Sequence, residues 1–177
     1  RRAVRLKGGD PLVFGRGGEE VEALRAAGIP YSIVPGITAA VGASAQFEVP
    51  LTFRDEALRV TFLTAHKARD AEAVDWSTLT DEKMTIAVYM GMTAAPSVRA
   101  GLLRAGRSPQ TPVGIFARVT RADAKAVVGV LNDLPALAAA LETGPAILII
   151  GDVVAHSLPW QSAALSSFAS NLLMAAE

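Results

Sequence analysis

The chain has 177 residues, and 17 Lys+Arg against 17 Asp+Glu leave no formal net charge, which excludes binding to nucleic acid through a broad basic surface and leaves only a local cationic pocket open. Hydrophobic residues make up 51% and charged residues 19%, the composition of a chain that buries a large core, so global disorder is excluded as well. No apolar run reaches the roughly 18 residues of a membrane span, and the absence of cysteine removes disulfides, thiolate zinc sites and a cysteine nucleophile.

The chain opens on Arg1-Arg2-Ala3, without an initiator methionine or a signal-type apolar segment, and runs at once into a strand-like stretch, Ala3 to Leu6. A strand there has no earlier partner, so the sequence reads as the C-terminal portion of a longer protein, cut inside a domain. A helix over Glu19 to Ala27 follows. Glu19 and Glu20 suit the positive end of its dipole, Gly28 suits a left-handed cap, and Pro30 blocks continuation. A strand at Tyr31 to Val34 leads into a helix at Ile37 to Phe47. The polar, Pro50-containing stretch from Glu48 to Leu58 reads as a linker, which divides the chain into 1–54 and 55–177. Beyond it, strands at Arg59 to Thr64, Met84 to Tyr89, Pro112 to Arg118, Ala124 to Val130 and Ala146 to Ile150 alternate with helices at Ala94 to Ala105 and Pro135 to Leu141. A tail helix, Gln161 to Ala175, sets Leu165, Phe168 and Leu172 on one stripe. This alternation predicts an α/β fold with a substantially parallel sheet.

Several constellations carry chemistry. In Arg5-Leu6-Lys7-Gly8-Gly9-Asp10-Pro11 a strand ends in two glycines, which let the backbone bend and offer its amides to a ligand; an ordinary tight turn is an equally available reading. Phe14-Gly15-Arg16-Gly17-Gly18-Glu19-Glu20 then opens a helix whose first-turn N–H groups lie beside the same loop. Two glycine clusters around two cations favour a site, although neither matches a dinucleotide fingerprint or a phosphate loop. Val34-Pro35-Gly36-Ile37-Thr38-Ala39-Ala40 repeats the strand-turn-helix plan, with a Thr38 hydroxyl able to cap the helix or meet a ligand. Met90 ends a strand beside Gly91, as core filler or as a ligand contact. His66 and His156 have no partner at metal-ligand spacing, so no metal site is expected and a structural role is the default for both. Gly42-Ala43-Ser44-Ala45-Gln46 lacks the last glycine of a nucleophile elbow and sits in a helix-like block, which excludes a serine hydrolase. Arg121, Asp123 and Lys125 form a mixed charge run expected to face water.

These motifs, together with Pro50-Leu51-Thr52, Tyr89-Met90-Gly91 and Gly144-Pro145-Ala146-Ile147, resemble in order and spacing the uroporphyrinogen-III C-methyltransferases of the tetrapyrrole methylase superfamily, including the C-terminal part of bifunctional siroheme synthases. The resemblance runs to about Val154. It implies a two-domain α/β tetrapyrrole methylase fold with the first part of the N-terminal domain missing, and a cytoplasmic homodimer without nucleic-acid or membrane partners. It implies S-adenosylmethionine as methyl donor and S-adenosylhomocysteine as product, with cofactor contacts carried over to Gly8, Gly9, Asp10, Val13, Thr38, Ala39, Met90 and Ala146. Arg5 and Arg16 match family arginines expected to meet the carboxylates of the tetrapyrrole, for which guanidinium is suited, and Lys7 is expected to assist them. The implied reaction is the conversion of uroporphyrinogen III to precorrin-2 by two successive methyl transfers. The acid-base residues of the family are expected upstream of residue 1, so the catalytic residues are unassigned and the isolated chain is expected to be inactive. Two other readings stand beside this one: methylation of a later corrin intermediate, and a non-catalytic fragment retained as a dimerisation or interaction module.

The sequence also departs from the family pattern. Phe53 stands where His usually follows Pro-Leu-Thr, and Ala65 stands where Gly usually precedes the strand-end His. Glu-Asn-Gly-Thr becomes Ala117-Arg118-Val119-Thr120, and the Cβ of Val119 would crowd a backbone contact, so that position is not carried over.

Overall fold

The computed structural model describes residues 2–65, 74–142 and 144–165. Two helices, α1 (Gly17–Ala26) and α2 (Ala39–Phe47), precede a five-stranded sheet formed by β1 (Arg59–Thr64), β2 (Met84–Tyr89), β3 (Pro112–Ala117), β4 (Lys125–Val130) and β5 (Ala146–Ile150). Helix α3 (Ala95–Ala105) connects β2 to β3, and α4 (Leu134–Ala139) connects β4 to β5. The spatial order is β1-β2-β5-β3-β4.

Only β1 and β2 run parallel; β5 is antiparallel to both β2 and β3, and β3 is antiparallel to β4. The expectation of a substantially parallel sheet is therefore corrected. The cause lies in the burial. All six residues of β2 are buried, and so are Val113 to Ala117 and Ile147 to Ile150, because the central strands are covered on both faces. An unbroken apolar run reports two-sided burial, and it is common in parallel sheets for that reason alone; it carries no information on strand direction. Side chains alternate across the sheet: Ile86, Val88, Leu148 and Ile150 pack with Val98 and Leu102 of α3, whereas Ala87, Tyr89, Ile147 and Ile149 pack with Ala40 and Ala43 of α2.

The two strands expected at Ala3–Leu6 and Tyr31–Val34 do not form. Neither segment joins a described ladder, and Val4, Leu6 and Val34 are 87%, 83% and 80% exposed. β-branched composition gives a preference for extended backbone, but a strand also needs a neighbour to take its amides and carbonyls. The remaining elements lie within a few residues of expectation. β3 stops at Ala117 because Arg118 turns left-handed, with φ of 52°. α2 begins at Ala39, two residues late, since Thr38 is still extended. The stretch from Glu48 to Leu58 holds a tight Phe53–Ala57 bridge, and Glu56 accepts from or pairs with His156 at 2.9 Å, while the Phe53 and His156 rings stack at 4.2 Å. His156 thus has the structural role that was its default. Residues 158–165 are helical; the rest of the expected tail helix, with Phe168 and Leu172, and also His66, lie outside the described residues.

Candidate functional site

Register places the carboxyl end of β2 beside the amino end of β5, with Tyr89 opposite Ile147, and the carboxyl end of β3 beside the same residues, with Ala117 opposite Ala146. A cavity of about 1380 Å³ opens at this edge of the sheet. Its facing wall comes from the loop after Lys7 and from the start of α2. Gly8, Gly9, Asp10, Val13, Thr38, Ala39, Met90 and Ala146, singled out in sequence from four separate segments, all line it.

The loop geometry explains the residue types. Gly9 has φ of 76°, a conformation costly for any side chain, and a Cβ on Gly36 would stand 2.2 Å from the Gly9 carbonyl oxygen. Asp10 ties the two loops together: Oδ1 accepts the Leu12 amide at 2.9 Å and Oδ2 accepts the Gly36 amide at 3.1 Å. These bonds, that from Gly36 foremost, hold the Asp10 carboxyl below its ordinary range. Gly8 differs from its neighbour, because a Cβ there would meet no atom within 4 Å.

The Thr38 hydroxyl does not cap α2. It shares a 2.6 Å hydrogen bond with the Tyr89 hydroxyl, and that same phenol accepts the Ala40 amide at 3.2 Å, satisfying one of the free N–H groups of the helix start. The Tyr89 ring packs against Phe14 at 4.8 Å and Phe62 at 5.8 Å. Tyr89 therefore joins the sheet to both loops, a role that reading the sequence missed. An aromatic residue with a polar tip at a strand end, just before Met90-Gly91, was the available signal. Met90 is half exposed, with φ of 53°, at the cavity rather than in the core.

Arg5, Lys7 and Arg16 meet in a second, adjoining hollow of about 440 Å³, which shares Gly15 with the first. Each already has an acidic partner. Lys7 donates to Glu20 at 2.8 Å, Arg5 lies 3.4 Å from the same carboxylate, and Arg16 donates to Glu19 at 2.9 Å. Lys7 above all lowers the Glu20 carboxyl below its ordinary range. Sequence reading had seen in these glutamates only helix-dipole partners. Arg121, Asp123 and Lys125 face water as expected, although Arg121 also borders the larger cavity. Among the described residues no group of His and acidic side chains is placed to hold a metal ion.

The chain belongs to the Tetrapyrrole (Corrin/Porphyrin) Methylases, whose family pattern matches residues 1–135. It is 48% identical over 162 residues to Siroheme synthase 2 of Yersinia pestis (strain Pestoides F), an alignment covering 90% of this chain and 34% of that protein. The chain thus spans about a third of the length of that curated relative. Among solved structures, the native uroporphyrin III C-methyl transferase from Thermus thermophilus superposes with a TM-score of 0.73 at 33% identity, covering 85% of this chain and 63% of that one. The enzyme of the same name and source complexed with S-adenyl homocysteine gives 0.72 at 33% identity, over 85% and 65%. The resemblance read from the motifs and the tetrapyrrole methylase fold are both borne out by these matches.

Proposed function

We propose that the chain forms most of the methyl-donor cleft of an S-adenosylmethionine-dependent C-methyltransferase that converts uroporphyrinogen III to precorrin-2 by two successive methyl transfers. The observation that supports this most is the convergence on one cavity of all eight cofactor positions that the resemblance implies. Its chemistry fits the donor as well: main-chain amides and a carboxylate lie at one wall, apolar Met90 and Ala146 at the other, and Gly8 leaves open the space that a Cβ would fill. S-adenosylmethionine, when bound, supplies an electrophilic methyl group.

The contribution of this chain is to bind and orient. Gly8, Gly9 and Asp10 would hold the cofactor along one wall, with the loop fixed by the Asp10 bonds to Leu12 and Gly36. Thr38, Ala39, Val13, Met90 and Ala146 complete the cleft, and Tyr89 sets Thr38 in place. Arg5, Lys7 and Arg16 attract the carboxylates of the tetrapyrrole, which compete with Glu19 and Glu20 for them. Alignment of a ring carbon with the methyl group supplies much of the acceleration. The division at 54/55 and a cytoplasmic homodimer belong to the same reading; no described helix is long and apolar enough to cross a membrane.

Removal of a proton from the methylated ring needs a base with a pKa near the working pH. Asp10 is a poor one, its carboxyl lowered and both oxygens engaged. On this reading the 177-residue chain is expected to bind S-adenosylhomocysteine without turning over. Calorimetry with that ligand, beside mass analysis of uroporphyrinogen III incubated with the methyl donor and the chain, tests both halves. Absence of binding sinks the cofactor reading, and methylated product sinks the claim of inactivity.

A further inference from the structure

The turn from Arg118 to Arg121 forms the third wall of the larger cavity, and its backbone is held in an unusual shape. Arg118 and Thr120 both have left-handed conformations, with φ of 52° and 67°, although neither is glycine. Such a turn persists only where its surroundings fix it. One fixture lies on the sheet side: the Arg118 amide donates to Pro145 O at 2.9 Å, and its guanidinium pairs with Asp123 at 3.0 Å and Glu142 at 2.9 Å. The other comes from α2, 74 residues earlier in the chain. Gln46 Oε1 accepts the Thr120 amide at 2.6 Å, and one turn back, Gly42 admits Val119, whose Cγ1 stands 3.3 Å from where a Cβ would be.

We infer that Gln46 is a positioning residue, which by accepting the Thr120 amide fixes the Arg118–Thr120 turn as a wall of the cavity and so sets affinity for the ligand. The inference rests on the reading that this cavity takes S-adenosylmethionine or S-adenosylhomocysteine. Without the acceptor, Thr120 N–H has no partner from α2, and the turn must be ordered when ligand arrives; that ordering weakens binding. Gln46 touches no reacting atom in this scheme. It acts through the backbone of Val119 and Thr120, which line the cavity with it.

The test compares the 177-residue chain with Gln46→Leu, which removes the acceptor, and Gln46→Glu, which keeps one. S-adenosylhomocysteine affinity is measured by calorimetry and Thr120 amide exchange by NMR on the ligand-free proteins. Gln46→Leu is expected to weaken binding by about five- to tenfold, the worth of one hydrogen bond, and to speed exchange at Thr120, while Gln46→Glu stays within about twofold of the parent in affinity. Rescue by Glu separates an acceptor role from mere packing. Parent-like affinity in Gln46→Leu, or a Glu variant as weak as the Leu variant, overturns the inference while leaving the cofactor reading intact. A parent chain that binds no S-adenosylhomocysteine overturns the cofactor reading and the inference with it, a result told apart by the parent titration alone.

Discussion

Tyr89 shows how one side chain can join a sheet to a ligand loop. Its phenol serves Thr38 and the Ala40 amide at once, in a place where Thr38 and Tyr89 are both buried. Tyr89→Phe keeps the ring contacts with Phe14 and Phe62 and removes only the hydroxyl, leaving two polar groups unpaired. The expected loss is about 1–3 kcal/mol, read as a lower urea midpoint at unchanged slope. Asp10 acts at the same scale through charge. Its carboxyl titrates lower in the folded chain than in the unfolded one, so its stabilisation is fully present above the ordinary carboxylate range of about 4 and is lost as pH falls through the folded value. Asp10→Asn presents an NH2 to one of the two donating amides. The urea midpoints of parent and variant are expected to differ at pH 7 and to converge in acid; a gap of constant size from pH 7 down to pH 2 would contradict the assignment. Residue types at this scale were well marked in the sequence. Gly9 and Gly36 announced the turns because only a residue without Cβ satisfies their geometry, whereas Tyr89 was hidden because its partners lie 49 and 51 residues away.

Among the elements, α3 is the best specified. Pro96 stands in its first turn, Gly106 closes it in a left-handed cap with φ of 103°, and Val98 and Leu102 bury one face against the sheet. Gly101 lies on that helix under Trp76, and an added Cβ would fall 2.4 Å from the indole ring. Gly101→Ala gains about 1 kcal/mol of helix propensity and incurs an overpacking cost of about 1–3 kcal/mol. Net destabilisation is expected, with a lower melting temperature and altered Trp fluorescence; a stabilised variant would show that the indole moves aside freely. Helix limits were legible because caps and prolines act locally. Strand existence was legible only where neighbours were present: β1 to β5 match their expected positions, while Ala3–Leu6 and Tyr31–Val34 carry the same composition and stay unpaired.

For the molecule as a whole, the covering of the sheet on both faces decides what the cavity is. α3 and α4 close one face and α2 closes the other, so the carboxyl ends of β2 and β3 are left as the open edge toward residues 8–15 and 37–39. The location of the cleft was readable from motifs at segment ends. Strand direction was not, because two-sided burial produces the same apolar runs in either sense, and the pairing of Arg5, Lys7 and Arg16 with Glu19 and Glu20 depends on a fold that brings Lys7 and Glu20 together across 13 residues. Gly8 offers the most direct probe of what the cavity holds. It borders the cavity, has no close neighbours and does not rely on a left-handed backbone, so Gly8→Val should fold as the parent does while adding bulk at the cavity wall. The decisive measurement is calorimetric titration of the parent chain and Gly8→Val with S-adenosylhomocysteine, with melting curves for both. Single-site binding by the parent, and loss of that binding in a variant of unchanged melting temperature, is the predicted result; a folded parent that releases no heat, or a variant that binds equally well, would contradict the assignment of the cavity to the methyl donor.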